Sequence, residues 1–209
     1  MKKLFIPATS KYEFDLNVKE VSKKLPKKIL IAYSIQYEKT AQKLKKVLSR
    51  YHKILGLIQV LGCSKPKIPT ETQAILLISS GKFHAISLAY EKKIPIYLLE
   101  QNNLLLISKK EIEEFEKNKK ISLLNFLNAK SVGVFISTKS GQEKLKKISE
   151  IKNKFNNKKI YFFLANNFNN FEMENFPQIQ SWINTACPRI DLMNSKILNI
   201  NELKILRNI

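Results

Sequence analysis

The chain has 209 residues, 44% of them hydrophobic, with 37 Lys and Arg against 17 Asp and Glu and a formal net charge of +20. That length and apolar content supply real cores for one large domain or two small ones, and exclude a disordered chain. No apolar run approaches the roughly 18–20 residues that cross a bilayer, and Met1 to Pro7 is too short for a signal-peptide core, so a soluble, cytoplasmic protein without a membrane partner is expected.

In chain order, Lys28 to Tyr33 reads as a strand, and Glu38 to Arg50 reads as a helix with Ala41, Leu44 and Leu48 on one face. Ile54 to Val60 and Ala74 to Ile78 read as buried strands, His84 to Lys92 as a helix and Ile94 to Leu98 as a further strand. A charged helix from Lys109 to Lys120 leads out of this first unit. The pattern then restarts, with strands at Ser131–Ile136, Lys159–Leu164 and Gln180–Asn184 and a helix from Gln142 to Phe155. Such alternation predicts an α/β protein of two similar small domains, residues 1–120 and 121–209, each a mainly parallel sheet flanked by helices. Five glycines and seven prolines leave little room for a disordered linker, so the two are expected to pack closely.

The lysines are spread over nearly every predicted helix. That favours solvated outer faces over direct nucleic-acid binding, although a basic surface speeds encounter with an acidic protein or a ribonucleoprotein.

Two cysteines stand out. Cys63 and Cys187 each fall just beyond a strand, at the rim where open α/β sheets hold ligands. The lack of a secretion signal disfavours a disulfide between them. A metal or iron–sulfur centre takes at least three protein ligands, so as ligands this pair is one short. Taken singly, each is more often an inert buried thiol than a ligand. Pro188 holds Cys187 in an extended or turn conformation, which suits a fixed ligand. Ser79-Ser80-Gly81-Lys82-Phe83-His84 links a strand to a helix and favours an anion through its amides, but it is not a P-loop. His84 reads either as a ligand donor or as a helix-terminal histidine with a local hydrogen bond. Ser137-Thr138-Lys139-Ser140-Gly141-Gln142 has the same context and is the better candidate for a carboxylate or ribose; the alternative is an ordinary helix capped by Ser140 or Thr138. Trp182 reads as core.

Taken together, Leu61-Gly62-Cys63-Ser64, Ser80 to His84 with Ile94-Pro95-Ile96-Tyr97, Val132 to Gln142, and Glu174 to Pro177 through Trp182 to Ile190 resemble, in order, the family of the first enzyme of diphthamide biosynthesis in archaea and eukaryotes. The last segment is the most specific. The family has three similar α/β domains, each giving one cysteine to a [4Fe–4S] cluster, and this chain resembles the second and third. The resemblance implies a non-canonical radical S-adenosylmethionine enzyme that lacks a Cys-x3-Cys-x2-Cys loop. Such an enzyme transfers a 3-amino-3-carboxypropyl group to a histidine of translation elongation factor 2. It implies Cys63 and Cys187 as cluster ligands. Ser137, Thr138, Lys139, Gly141 and Gln142, with Gly81 and His84, would line the S-adenosylmethionine pocket.

The departures are the first domain and third cysteine, Lys82 in place of an arginine, and Glu100-Gln101 in place of Asp-Pro. A chain that begins at Met1 and keeps both cysteine motifs favours a split, oligomeric enzyme whose third thiolate lies on a separate chain. The alternatives are a non-catalytic accessory subunit or scaffold of the same pathway, and a fragment.

Overall fold

The computed structural model describes residues 4, 6–11, 17–61, 66–143, 147–167, 170–191 and 195–203. Their contacts divide the chain into two units, Met1–Glu113 and Glu114–Ile209. The division falls inside one continuous helix, α4 (Lys109–Asn128), rather than at residue 120. Early in α4, Ile112 packs on the core of the first unit, whereas Leu123 and Phe126 belong to that of the second.

The first unit runs α1 (Val18–Lys24), β1 (Lys28–Tyr33), α2 (Glu38–Leu48), β2 (Lys53–Gln59), β3 (Ala74–Ile78), α3 (Phe83–Lys92), β4 (Ile96–Glu100) and β5 (Asn103–Leu106). The sheet order is β2-β1-β3-β4-β5, parallel except for β5, which returns along β4 after a tight turn with Gln101 at φ 52°. Both faces of β1 are buried, as a strand without polar alternation requires. Ile29, Ile31 and Tyr33 point at Val21, Ala41, Leu44 and Leu48 of α1 and α2. Leu30 and Ala32 point at Ala85, Leu88 and Ala89 of α3.

α4 opens on a reciprocal cap. The Glu111 amide donates to Ser108 Oγ at 3.2 Å, and the Ser108 amide donates to Glu111 Oε2 at 2.9 Å. Lys82 Nζ adds a bond to Glu111 Oε1 at 2.7 Å. The Lys82 bond, then the Ser108 amide, hold the Glu111 carboxyl down at about 2. A folded-state value below the unfolded one gives stability that is present above about pH 4.5 and is lost as pH falls towards 2. With Lys82 half exposed, the contribution is on the order of 1 kcal/mol. In urea titrations, Glu111→Gln should therefore be less stable than the parent at pH 7, and the gap should narrow below about pH 4.5 and close as pH reaches about 2. A gap that persists at pH 2 would overturn this account.

The second unit continues with β6 (Ser131–Ser137), α5 (Lys147–Lys154), β7 (Lys159–Ala165), β8 (Ser181–Asn184) and β9 (Ile197–Asn199). All four strands are parallel, in the order β7-β6-β8-β9. One face packs Val132, Val134, Ile136 and Ile183 against Phe126 of α4 and Ile151 of α5. Lys158, its charge disfavoured by burial, donates to the carbonyls of Leu127 and Ala129 at 2.9 and 2.7 Å and closes the end of α4.

Among the described residues, the other face carries no α-helix. It is an aromatic cluster in which Trp182, 2% exposed, stacks on Phe135 at 4.5 Å and meets Phe163 at 4.8 Å. The indole lies directly over Gly133, where an added Cβ would come within 2.2 Å of a ring carbon. Trp182 is thus core, as its sequence context suggests. Gln142, from which a helix is expected, lies in a turn, and α5 is described from Lys147.

Candidate functional site

At the end of β6, buried Ser137 accepts a hydrogen bond from the Lys139 amide at 3.1 Å, and the Lys139 carbonyl accepts one from the Gln142 amide at 3.0 Å. Gly141, at φ 79°, takes the left-handed place that such a turn requires. A helix cannot start across it, which rules out the alternative of a helix capped here by Ser140 or Thr138. Instead the Thr138 amide donates to the Ala165 carbonyl at 3.1 Å, which ties the turn to the end of β7.

At the end of β8, Thr185 donates to the Phe135 carbonyl through its amide at 3.2 Å and through Oγ1 at 2.6 Å, so the backbone itself ties the next loop to β6. Fully buried Asn184 accepts from the Ala186 amide at 2.8 Å and donates to the Cys187 carbonyl at 2.8 Å. That carbonyl also accepts from the Ile190 amide at 3.1 Å, closing a 3-10 turn over Pro188–Asp191. Cys187 is a free, half-buried cysteine.

These loops enclose a cleft of about 270 Å³ lined by Ser137, Lys139, Gln142, Asn166, Asn167, Cys187 and Arg189, among others. Successive strands leave β6 on opposite sides, to β7 and to β8, and the cleft opens at that switch point. The lining offers one thiol, two cations and three amides, with no carboxylate among the described residues. Such a donor set fits a thiolate-bound metal beside a ligand that carries a carboxylate.

The structure therefore brings Ser137, Lys139, Gln142 and Cys187 together, while Thr138 and Gly141 shape the adjoining turn. Asn166, Asn167, Arg189 and Asn184 complete the arrangement and were not expected as site residues. Two consecutive amides directly after β7 were the available signal for the first pair.

Gly81 and His84 belong to the first unit. Gly81, at φ 73°, donates its amide to Glu100 Oε1 at 2.5 Å, so the anion expected at this turn is the unit's own carboxylate. The His84 ring packs on Phe83 at 5.0 Å and lines a water-sized pocket of about 20 Å³ with Val60, Leu61 and Pro66. Those three residues flank the Cys63 segment in sequence, and Cys63 lies outside the described residues. His52, the other histidine, is structural: Nδ1 donates to the Pro26 carbonyl at 2.8 Å, which leaves Nε2 to accept from Ser22 Oγ at 2.9 Å.

The cysteines follow different strands. Cys63 comes after the second strand of its unit, and Cys187 after the third. Among the described residues no three His, Cys, Asp or Glu side chains stand together. No helix among them is long and apolar enough to cross a membrane.

The model of the diphthamide synthesis protein family matches residues 1–208. The chain belongs to this family. The 2-(3-amino-3-carboxypropyl)histidine synthase of Methanocaldococcus jannaschii is 30% identical over 207 residues, covering 92% of this chain and 56% of the relative. The synthase of the same name from Pyrococcus horikoshii is 25% identical over 224 residues, covering 97% of this chain and 65% of the relative. The diphthamide-family chain thus spans between half and two-thirds of their length. The crystal structure of Dph2 from Pyrococcus horikoshii superposes with a TM-score of 0.74 at 25% identity, covering 91% of this chain and 60% of that one. A second crystal structure of that protein, with a 4Fe-4S cluster, has the same TM-score.

Proposed function

We propose that this chain is the larger part of a split diphthamide synthase, in which Cys63 and Cys187 are two of the three thiolate ligands of a [4Fe–4S] cluster. The third thiolate comes from a separate chain carrying the missing first domain. The assembled enzyme transfers the 3-amino-3-carboxypropyl group of S-adenosylmethionine to a histidine of translation elongation factor 2. When bound, the cluster supplies the electron that cleaves the sulfur–carbon bond of S-adenosylmethionine and so frees that group.

The observation that carries this reading is the clamped Cys187 thiol facing an open, cationic cleft at the switch point of the second sheet. Family membership and the cluster in the Dph2 relative support it. This chain's own residues would then divide the work. Arg189 and Lys139 hold a carboxylate, and Gln142, Asn166 and Asn167 offer hydrogen bonds to the ligand's polar groups. The Gly81 turn takes a lesser part, because Glu100 already engages its amide.

The test is anaerobic reconstitution with iron and sulfide, with and without a candidate first-domain chain, scored by mass spectrometry for the adduct on elongation factor 2. Adduct only when both chains are present is expected; none in any combination would overturn the proposal. The second reading, an accessory subunit, rests on the internal engagement of Gly81 and Lys82 by Glu100 and Glu111. It predicts stable assembly with a full-length homologue and no adduct that depends on this chain's cysteines.

A further inference from the structure

The geometry points to Asn184 as the positioning residue for Cys187, holding the cysteine in its ligand-ready pose before any metal arrives. The inference rests on the reading of Cys187 as a ligand. Asn184 is the last residue of β8, fixed by the sheet: the Ile200 amide donates to its carbonyl at 3.0 Å, and its side chain is fully buried. One carboxamide spans the loop, with Oδ1 taking the Ala186 amide and Nδ2 giving to the Cys187 carbonyl, both at 2.8 Å.

With the Ile190 amide as a second donor, both lone pairs of the Cys187 carbonyl are engaged. Pro188 restricts Cys187 further from the carboxyl side. The thiol therefore sits on a loop whose backbone is fixed at the residue itself and at the one before it. None of these bonds involves a ligand, so the pose belongs to the apo chain. A ligand already held in place loses less conformational freedom when the metal binds.

Only an uncharged carboxamide fills both roles. Aspartate at 184 keeps the acceptor for Ala186 but has no donor for the Cys187 carbonyl. Thr185 is the natural control: its hydroxyl bonds to Phe135 and makes no bond to Cys187. Thr185→Val should lower stability without releasing the thiol.

The experiment measures alkylation of Cys187 by iodoacetamide in the apo chain, in a Cys63→Ser background where it is the remaining thiol. A half-buried, clamped thiol reacts more slowly than one in an unfolded chain, so Asn184→Asp and Asn184→Ala should raise the rate at least about threefold, towards the value in denaturant. Thr185→Val should leave the rate within about 1.5-fold while lowering the melting temperature. Equal rates in the parent and both Asn184 variants, or an equal rise in Thr185→Val, would overturn the proposal.

Hydrogen exchange in the unsubstituted chain gives a second readout independent of variant folding. The Ala186 amide should be protected as strongly as the amides of β8, and free exchange there counts against the clamp. Iron content after reconstitution separates the two readings. If Cys187→Ser retains full iron, the ligand assignment fails. If Cys187→Ser loses iron while Asn184→Asp binds it as fast and as tightly as the parent, the positioning role fails and the ligand assignment stands.

Discussion

On the proposed role of Cys187 as a cluster ligand, replacing it by serine should leave the second unit folded and remove transfer activity from the assembled enzyme. The side chain is half exposed at a loop, and the bonds that shape that loop run through the backbone of Ala186 and Cys187, so the swap of sulfur for oxygen disturbs no packing. Stability should change by no more than about 0.5 kcal/mol. The ligating species is a thiolate, and a serine hydroxyl does not ionise near neutral pH. Residues that merely support a metal ligand cost about 10–100-fold when removed, so loss of a ligand should cost at least about 100-fold in adduct formation. The check is a pair of measurements on one preparation: unchanged thermal unfolding, and iron per chain well below that of the parent. Full iron content and full activity in the variant would show that Cys187 is an ordinary thiol.

The largest effect on stability is expected from Gly133→Ala. The new methyl would fall 2.2 and 2.3 Å from two carbons of the Trp182 ring. The indole has nowhere to retreat, because it is 2% exposed and held between Phe135, stacked at 4.5 Å, and Phe163 at 4.8 Å. Overpacking of this kind costs about 3 kcal/mol. In a unit of this size that lowers the melting temperature by roughly 12–20 °C. A double variant, Gly133→Ala with Trp182→Phe, should recover part of the loss, since the smaller ring vacates the contested space. Trp182 and Asn184 lie two apart on β8 and share a face, so the single variant should also disturb the Cys187 loop. A calorimetric scan of the three proteins decides the matter, and a Gly133→Ala protein that melts with the parent would contradict the described contact.

Most of the sheet was legible because its strands are buried on both faces. Runs such as Ile29–Tyr33 and Ala74–Ile78 declare themselves through continuous apolar, β-branched character. Short elements did not. α1 has 7 residues and β9 has 3, too few for any period to emerge, and each depends on tertiary partners. β5 escaped because Asn103–Leu106 is largely exposed and becomes a strand only by pairing with β4.

A helix starting at Gln142 was expected because hydroxyls before a polar run look like a cap, whereas Gly141 at positive φ puts Gln142 in a turn closed on the Lys139 carbonyl. The reciprocal cap of Ser108 and Glu111 was written in plain spacing and went unread. At the site, the rim position of Cys187 followed from pattern alone. The capture of the Gly81 amide by Glu100 did not, since it joins residues 19 apart through the pairing of β3 with β4.

The different strands that precede the two cysteines bear on how the chain was assembled. Both units open with the same order, the first strand flanked by the second and third. A duplication that had copied a finished site would have left its cysteines at matching places. Here the strand order repeats and the cysteine positions do not: in sequence, Cys63 comes after the second strand of its unit, which forms the sheet edge, whereas Cys187 comes after the third, which lies inside its sheet. Exchanging one unit for a second copy of the other would preserve the architecture and still fail to reproduce the pair.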